Sequence, residues 1–193
     1  MKLFFSVGVL LICFQLKAQK PVLYDNDTII SWSKTRVLQW DDFTGKTDPN
    51  IYAYALTSHK IELLPVNLLV DQHNNIKNYR RLNVLVNFYK KKSWKFTEEK
   101  EVLIHERLHL DIAELFARKI RKAFSALKKA NIANYDRYIE TYTKLWQASR
   151  LYQKQYDEAT NHGTKLLENV AWGEKIAREL KSLQQFEYEN YLK

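Results

Sequence analysis

Thr97-Glu98-Glu99-Lys100-Glu101-Val102-Leu103-Ile104-His105-Glu106-Arg107-Leu108-His109-Leu110-Asp111-Ile112 is the stretch on which the fold turns. Upstream of it apolar residues alternate in twos; downstream they recur at three and four. Thr97 is a candidate N-cap, and Glu98 and Glu99 put negative charge where a helix dipole favours it. Val102, Leu108, Ile112, Leu115, Phe116 and Ile120 then keep a helical spacing, with no Gly or Pro before Asn131. A long buried helix is expected here.

Two alternating segments precede it. Ile51, Ala53, Ala55, Thr57, His59, Ile61 and Leu63 read as one half-buried strand, and Leu82, Val84, Val86 and Phe88 as another. Asp71 to Asn75 is a turn signal between them, so an antiparallel meander is the economical pairing. Thr28 to Trp40 adds one or two β segments, closed by the polar turn through Asp41, Asp42 and Gly45. After the Asn131–Asn134 connection, Tyr138, Tyr142, Leu145, Tyr152 and Tyr156 mark a second helix, and a third is expected from Thr164 to about Phe186, with Gly163 as the break. The fold class is therefore α+β: an N-terminal antiparallel sheet over 24–95, then long helices over 97–190, in a single domain over 19–193.

Lys2 is followed by an apolar run from Leu3 to Phe14 and a polar stretch from Gln15 to Gln19. That is the layout of a signal peptide, 1–18, too short to span a bilayer comfortably. Export to the periplasm or beyond the cell is expected, with no transmembrane segment in the mature chain. Cys13 is the one cysteine, and Ile12 before it argues against a lipidated terminus, so the mature chain has neither disulfide nor thiolate ligand. The formal charge is +9, of which the leader takes Lys2 and Lys17. Lys90-Lys91-Lys92 and Arg118-Lys119-Ile120-Arg121-Lys122 are read first as solvated faces, and second as weak contacts with anionic envelope surfaces. No motif for nucleic acid is present.

His105-Glu106-Arg107-Leu108-His109 is an HExxH element. Four residues make slightly more than one helical turn, so both imidazoles stand on one face and can meet one Zn²⁺, with Glu106 beside it as base. A further ligand is required. Gly and His would stand at 112 and 115 in the metzincin pattern, where the chain has Ile112 and Leu115. Asp111 and Glu114 are too close along the same helix. The Tyr156-Asp157-Glu158-Ala159-Thr160-Asn161-His162-Gly163 cluster is the better source: His162 is preferred as third ligand, Asp157 is the alternative, and Tyr156 is a candidate oxyanion donor. Thr57 or His59 can face substrate from the first strand, although a plain hydrogen-bonded role suits His59 better. Trp40 and Trp94 are read as core anchors or turn covers rather than substrate contacts.

Leu38-Gln39-Trp40-Asp41-Asp42-Phe43-Thr44-Gly45, Ala55-Leu56-Thr57, Ser93-Trp94, Leu103 to Ile112, Ala117-Arg118, Tyr156-Asp157 and His162-Gly163 together resemble the bacterial domain-of-unknown-function family 922. That family is described as predicted secreted zinc-dependent proteases, and the resemblance implies a zincin-like metallopeptidase architecture, with His105 and His109 for metal and Glu106 for catalysis. Leu110 and Arg107 depart from it: an aromatic residue and an uncharged polar one are usual there. The expected function is an exported zinc metallopeptidase acting on peptide or protein. Two alternatives are a zinc hydrolase of another amide and a non-catalytic zinc-containing envelope binding protein.

Overall fold

The computed structural model describes residues 24–51 and 53–188; the expected leader, 1–18, lies outside them. Five strands come first, then three helices: β1 Ile29–Ser31, β2 Ala55–Leu56, β3 His59–Leu64, β4 Asn83–Tyr89, β5 Trp94–Lys95, α1 Lys100–Lys129, α2 Tyr135–Thr160 and α3 Leu166–Ser182. The protein is thus α+β, with a small antiparallel sheet ahead of its helices.

The sheet has the order β1-β4-β3, antiparallel throughout. β4, the alternating segment read from Leu82 to Phe88, is its middle strand, and Val84, Val86 and Phe88 are fully buried. The expected strand from Ile51 to Leu63 is instead two. Ala55 and Leu56 pair with Lys95 and Trp94 in a separate ribbon, and the chain changes partner at Thr57–Ser58 before β3 pairs with β4. Ser93 holds the junction: its hydroxyl accepts from the Ser58 amide (2.9 Å) and donates to the Tyr89 carbonyl (2.8 Å). Of the Thr28–Trp40 segment only β1 is strand, and Trp40–Asp42 forms a turn of 3-10 helix.

α1 is the hub. It packs on β3 and β4 on one side and on α2 and α3 on the others, so Ile112, Leu115, Ile120 and Phe124 are fully buried. Each such side chain contributes roughly 1.5–3 kcal/mol. That outweighs the about 1 kcal/mol of a missing cap: Glu99, not Thr97, is the N-cap residue, without a side-chain hydrogen bond. Thr97 lies further out, accepting from the Glu99 amide at 3.3 Å. Arg118 and Arg121 are no surface patch. Both are buried and ion-paired to the buried Glu114, at 2.9 Å each, which leaves Lys122 exposed and Lys119 half-buried and paired with Glu179 at 3.3 Å.

Left-handed Asn131 (φ 55) ends the first helical stretch, and Asn134 caps α2 by accepting from the Arg137 amide at 3.2 Å. Tyr138, Tyr142, Leu145, Tyr152 and Tyr156 form the inward stripe of α2. Tyr142 donates to the Ile61 carbonyl of β3 at 2.6 Å, tying α2 to the sheet. α3 is shorter than expected, ending at Ser182 before a 3-10 turn at Gln184–Phe186. No helix among the described residues is long and apolar enough to cross a membrane.

Candidate metal centre

Helical spacing puts His105 and His109 one turn apart on α1, and α2 crosses that face with Asp157 toward them. The three ligand atoms close a triangle: His105 Nε2 to His109 Nε2 3.1 Å, His105 Nε2 to Asp157 Oδ1 3.2 Å, His109 Nε2 to Asp157 Oδ1 3.0 Å. This His-His-Asp group can hold a metal ion.

His162, the expected third ligand, is not part of the triangle. Its side chain is 59% exposed, and its Nδ1 lies 3.9 Å from Asp157 Oδ1. The reason is the way α2 ends. Asn161, His162 and Gly163 are all left-handed, with φ of 47°, 52° and 85°. The chain winds backward there, so His162 falls at the rim while Asp157, still helical, faces inward. Gly163 comes so close to His105 that an added Cβ would sit 2.8 Å from His105 Cβ and Cγ. Thus the glycine is needed both for its φ and for the close approach.

The two imidazoles are oriented by different means. His109 Nδ1 is hydrogen-bonded to Gln153 Oε1, and Gln153 Nε2 donates to the His109 carbonyl at 2.9 Å, so one amide grips both ring and backbone. His105 Nδ1 is buried without a hydrogen-bond partner among the described residues. Its ring is held instead by stacking on Tyr156, centroids 4.6 Å apart at 23°, and by the Gly163 contact. Tyr156 is therefore not an oxyanion donor. It is fully buried, its hydroxyl is directed to Asn169 and the His105 carbonyl, and its ring also meets His109 edge-on at 5.1 Å. Burial and the neighbouring Glu106, Asp157 and Asp111 carboxylates raise its pKa, which suits a supporting phenol.

Electrostatics follow from the triangle. Burial opposes charge on His109, yet hydrogen bonding to Asp157, the nearby Glu106 and Gln153 together raise its pKa to about 9. Burial pushes Asp157 up, but hydrogen bonds and charge from His105 and His109 prevail and hold it well below the usual carboxylate range. His59 is lowered to about 4 by burial, then by the His109 and Arg150 charges. It contacts Thr57 through Nδ1 and Gln153 through Nε2, both at 3.3 Å, which fits its plain hydrogen-bonded role.

The cluster sits in a cleft of about 700 Å³. One wall is Ile51 together with Ala53 to Ile61; the other is the face of α2 that carries Trp146, Ser149, Arg150, Gln153, Lys154 and Asp157. Glu106 lies between them, 4% exposed, with Oε2 lacking a hydrogen-bond partner among the described residues. Its carbonyl accepts from Thr57 Oγ1 at 3.2 Å, joining the strand wall to α1. Trp40 and Trp94 stand outside the cleft, Trp94 buried and Trp40 edge-on to Phe43 at 5.1 Å. Gln153 carries no motif of its own. The signal that finds it is helical spacing: Ser149, Arg150, Gln153 and Asp157 recur at three and four residues, with Gln153 four residues before Asp157.

Fold and cluster define an α+β domain with a His-His-Asp group that could hold a metal ion at the crossing of two helices. Residues 88–163 match the model of a family described as bacterial protein of unknown function (DUF922), which bears out the family resemblance over the segment that runs from β4 through both ligand-bearing helices to Gly163. No curated protein and no solved structure matches the chain.

Proposed function

We propose that this protein is a zinc-dependent metallopeptidase of zincin-like architecture, exported from the cell. The observation that carries the reading is the ligand triangle with a buried, unpartnered Glu106 oxygen beside it, at the floor of an open cleft. Tetrahedral zinc, with bonds of about 2.0–2.2 Å, separates its ligand atoms by about 3.3–3.5 Å. The edges of 3.0–3.2 Å are within a few tenths of an ångström of that. Two imidazoles and one carboxylate are a donor set that zinc accepts in catalytic sites, where three protein ligands leave a fourth position for water.

When bound, zinc supplies a Lewis acid that makes water a nucleophile near neutral pH and polarises a carbonyl. The remaining work belongs to the chain. Glu106 takes the proton of the attacking water and returns it to the leaving amine. Gln153 keeps His109 in the tautomer that presents Nε2, and Tyr156 keeps the His105 ring in plane with that task. On the strand wall, β2 and β3 offer extended backbone along which a peptide can lie.

Purified protein is expected to bind about one zinc per chain and to cleave members of a peptide library. Glu106→Gln should keep the metal and lose turnover by at least about 100-fold, the scale of a lost general base. Retained turnover in that variant would remove Glu106 from the mechanism. Cleavage of wall-derived amides alone would move the reading to another amide substrate.

A further inference from the structure

Most polar residues of α2 that line the cleft already have an occupation. Asp157 belongs to the triangle, Gln153 grips His109, and Lys154 pairs with Glu158 at 3.6 Å. Arg150 does not. It lines the cleft with no carboxylate partner among the described residues, and its guanidinium lies 5.3 Å from the centroid of the Trp146 ring, which lines the same end. A guanidinium held against an indole has surrendered part of its rotamer freedom in advance, so gripping a carboxylate costs it less.

Position gives this pair a register. Arg150 precedes Asp157 by seven residues of continuous α-helix, about 10 Å along the axis at 1.5 Å per residue. An extended chain rises roughly 3.3 Å per residue, so that span is about three residues of bound peptide. β3 runs alongside: His59 touches Gln153, and the Ile61 carbonyl accepts from Tyr142 further toward the start of α2. A peptide lying on the strand wall and passing the triangle is thereby led to the Trp146–Arg150 end.

The geometry points to Arg150, backed by Trp146, as a carboxylate-recognising subsite about three residues from the His105–His109–Asp157 triangle, which selects peptides bearing an acidic group at that spacing. This rests on the peptidase reading and adds a substrate class to it: acidic peptides, the carboxylate being either a side chain or the peptide's own C-terminus.

The test uses the full chain carrying Glu106→Gln, loaded with zinc so that peptides stay intact, and fluorescence anisotropy of rhodamine-labelled nine-residue peptides. One peptide is amidated with a Glu on either side of its centre, the second has Gln in those places, and the third is the Gln peptide with a free C-terminal carboxylate. At least one carboxylate-bearing peptide is expected to bind about fivefold tighter than the amidated Gln peptide, the scale of one partly exposed ion pair; which one does so identifies the source. Arg150→Gln should abolish the difference, and Arg150→Glu should transfer the preference to a Lys peptide. Lys122→Glu, the same charge change on an exposed position of α1, should leave the preference intact. Equal binding of all three peptides, no binding of any, or equal shifts from Arg150→Glu and Lys122→Glu would overturn the subsite. Preference without cleavage by the wild type would sink the peptidase reading alone, and cleavage without preference the subsite alone.

Discussion

Asp157 and His162 are five residues apart, and only one can be a ligand in the geometry observed. Asp157 Oδ1 lies 3.0–3.2 Å from both imidazole nitrogens, while His162 is mostly in solvent, its Nδ1 3.9 Å from Asp157 Oδ1. Asp157→Ala leaves two ligands on one helix and should weaken zinc by more than about 100-fold, beyond the range expected for loss of an outer hydrogen bond. His162→Ala removes only an exposed side chain and should stay within about fivefold of the wild type. Competition with a chromophoric chelator reads both constants, and the opposite order would return His162 to the ligand set. The sequence displays the cluster but not the choice within it. Gly163 and, more weakly, Asn161 advertise left-handed residues, whereas His162 between them carries no comparable mark, and the run of three decides which side chain faces inward. Tyr156 is a similar case: its neighbours in sequence suggested the cleft, and its hydroxyl is claimed by Asn169 from α3.

At the scale of elements, what is periodic is legible and what depends on a distant partner is not. α1 and α2 follow from apolar spacing and from Asn131 and Asn134, and β4 from the alternation of Leu82, Val84, Val86 and Phe88. The break at Thr57–Ser58 is invisible locally, because alternation continues smoothly through it; the chain changes strand partner there, and Ser93, a distant residue, supplies the bonds. The α2–α3 connection makes a prediction of its own. Gly163 has φ of 85° and stands against His105, whereas Gly173 on α3 has nothing within 4 Å of an added Cβ. Gly163→Ala should cost about 2–5 kcal/mol, from the left-handed backbone and the overpacked contact together. It should also weaken zinc by moving His105. Gly173→Ala should be neutral or stabilising by up to about 1 kcal/mol. Denaturant midpoints measured beside zinc content check both, and a Gly163→Ala protein with wild-type midpoint and metal would show that the tight turn is not what seats His105.

For the molecule as a whole, the triangle is a joint between two helices. His105 and His109 come from α1, Asp157 from α2, and Tyr156 and Trp172, whose rings lie 5.4 Å apart, carry the packing on to α3. No disulfide is open to the mature chain expected from the sequence, so this joint is fastened by packing and by the charges of the triangle. A cation bound there fastens the helices only in the folded state, since Asp157 is more than forty residues from either histidine in sequence and is separated from them once the chain unfolds. Zinc at about 100 times its dissociation constant then adds about 2.7 kcal/mol. For a chain of 193 residues, 1 kcal/mol moves the melting point by about 2–4 °C, so zinc should raise it by about 5–10 °C and chelation should reverse the shift. The increment should vanish in Asp157→Ala and persist in His162→Ala and Glu106→Gln, because the first removes an arm of the joint and the others do not. Scanning calorimetry with and without chelator reads it directly. An unchanged melting point under both conditions would mean that α1 and α2 are held without a metal, and would leave a non-catalytic binding protein as the reading that fits the cleft.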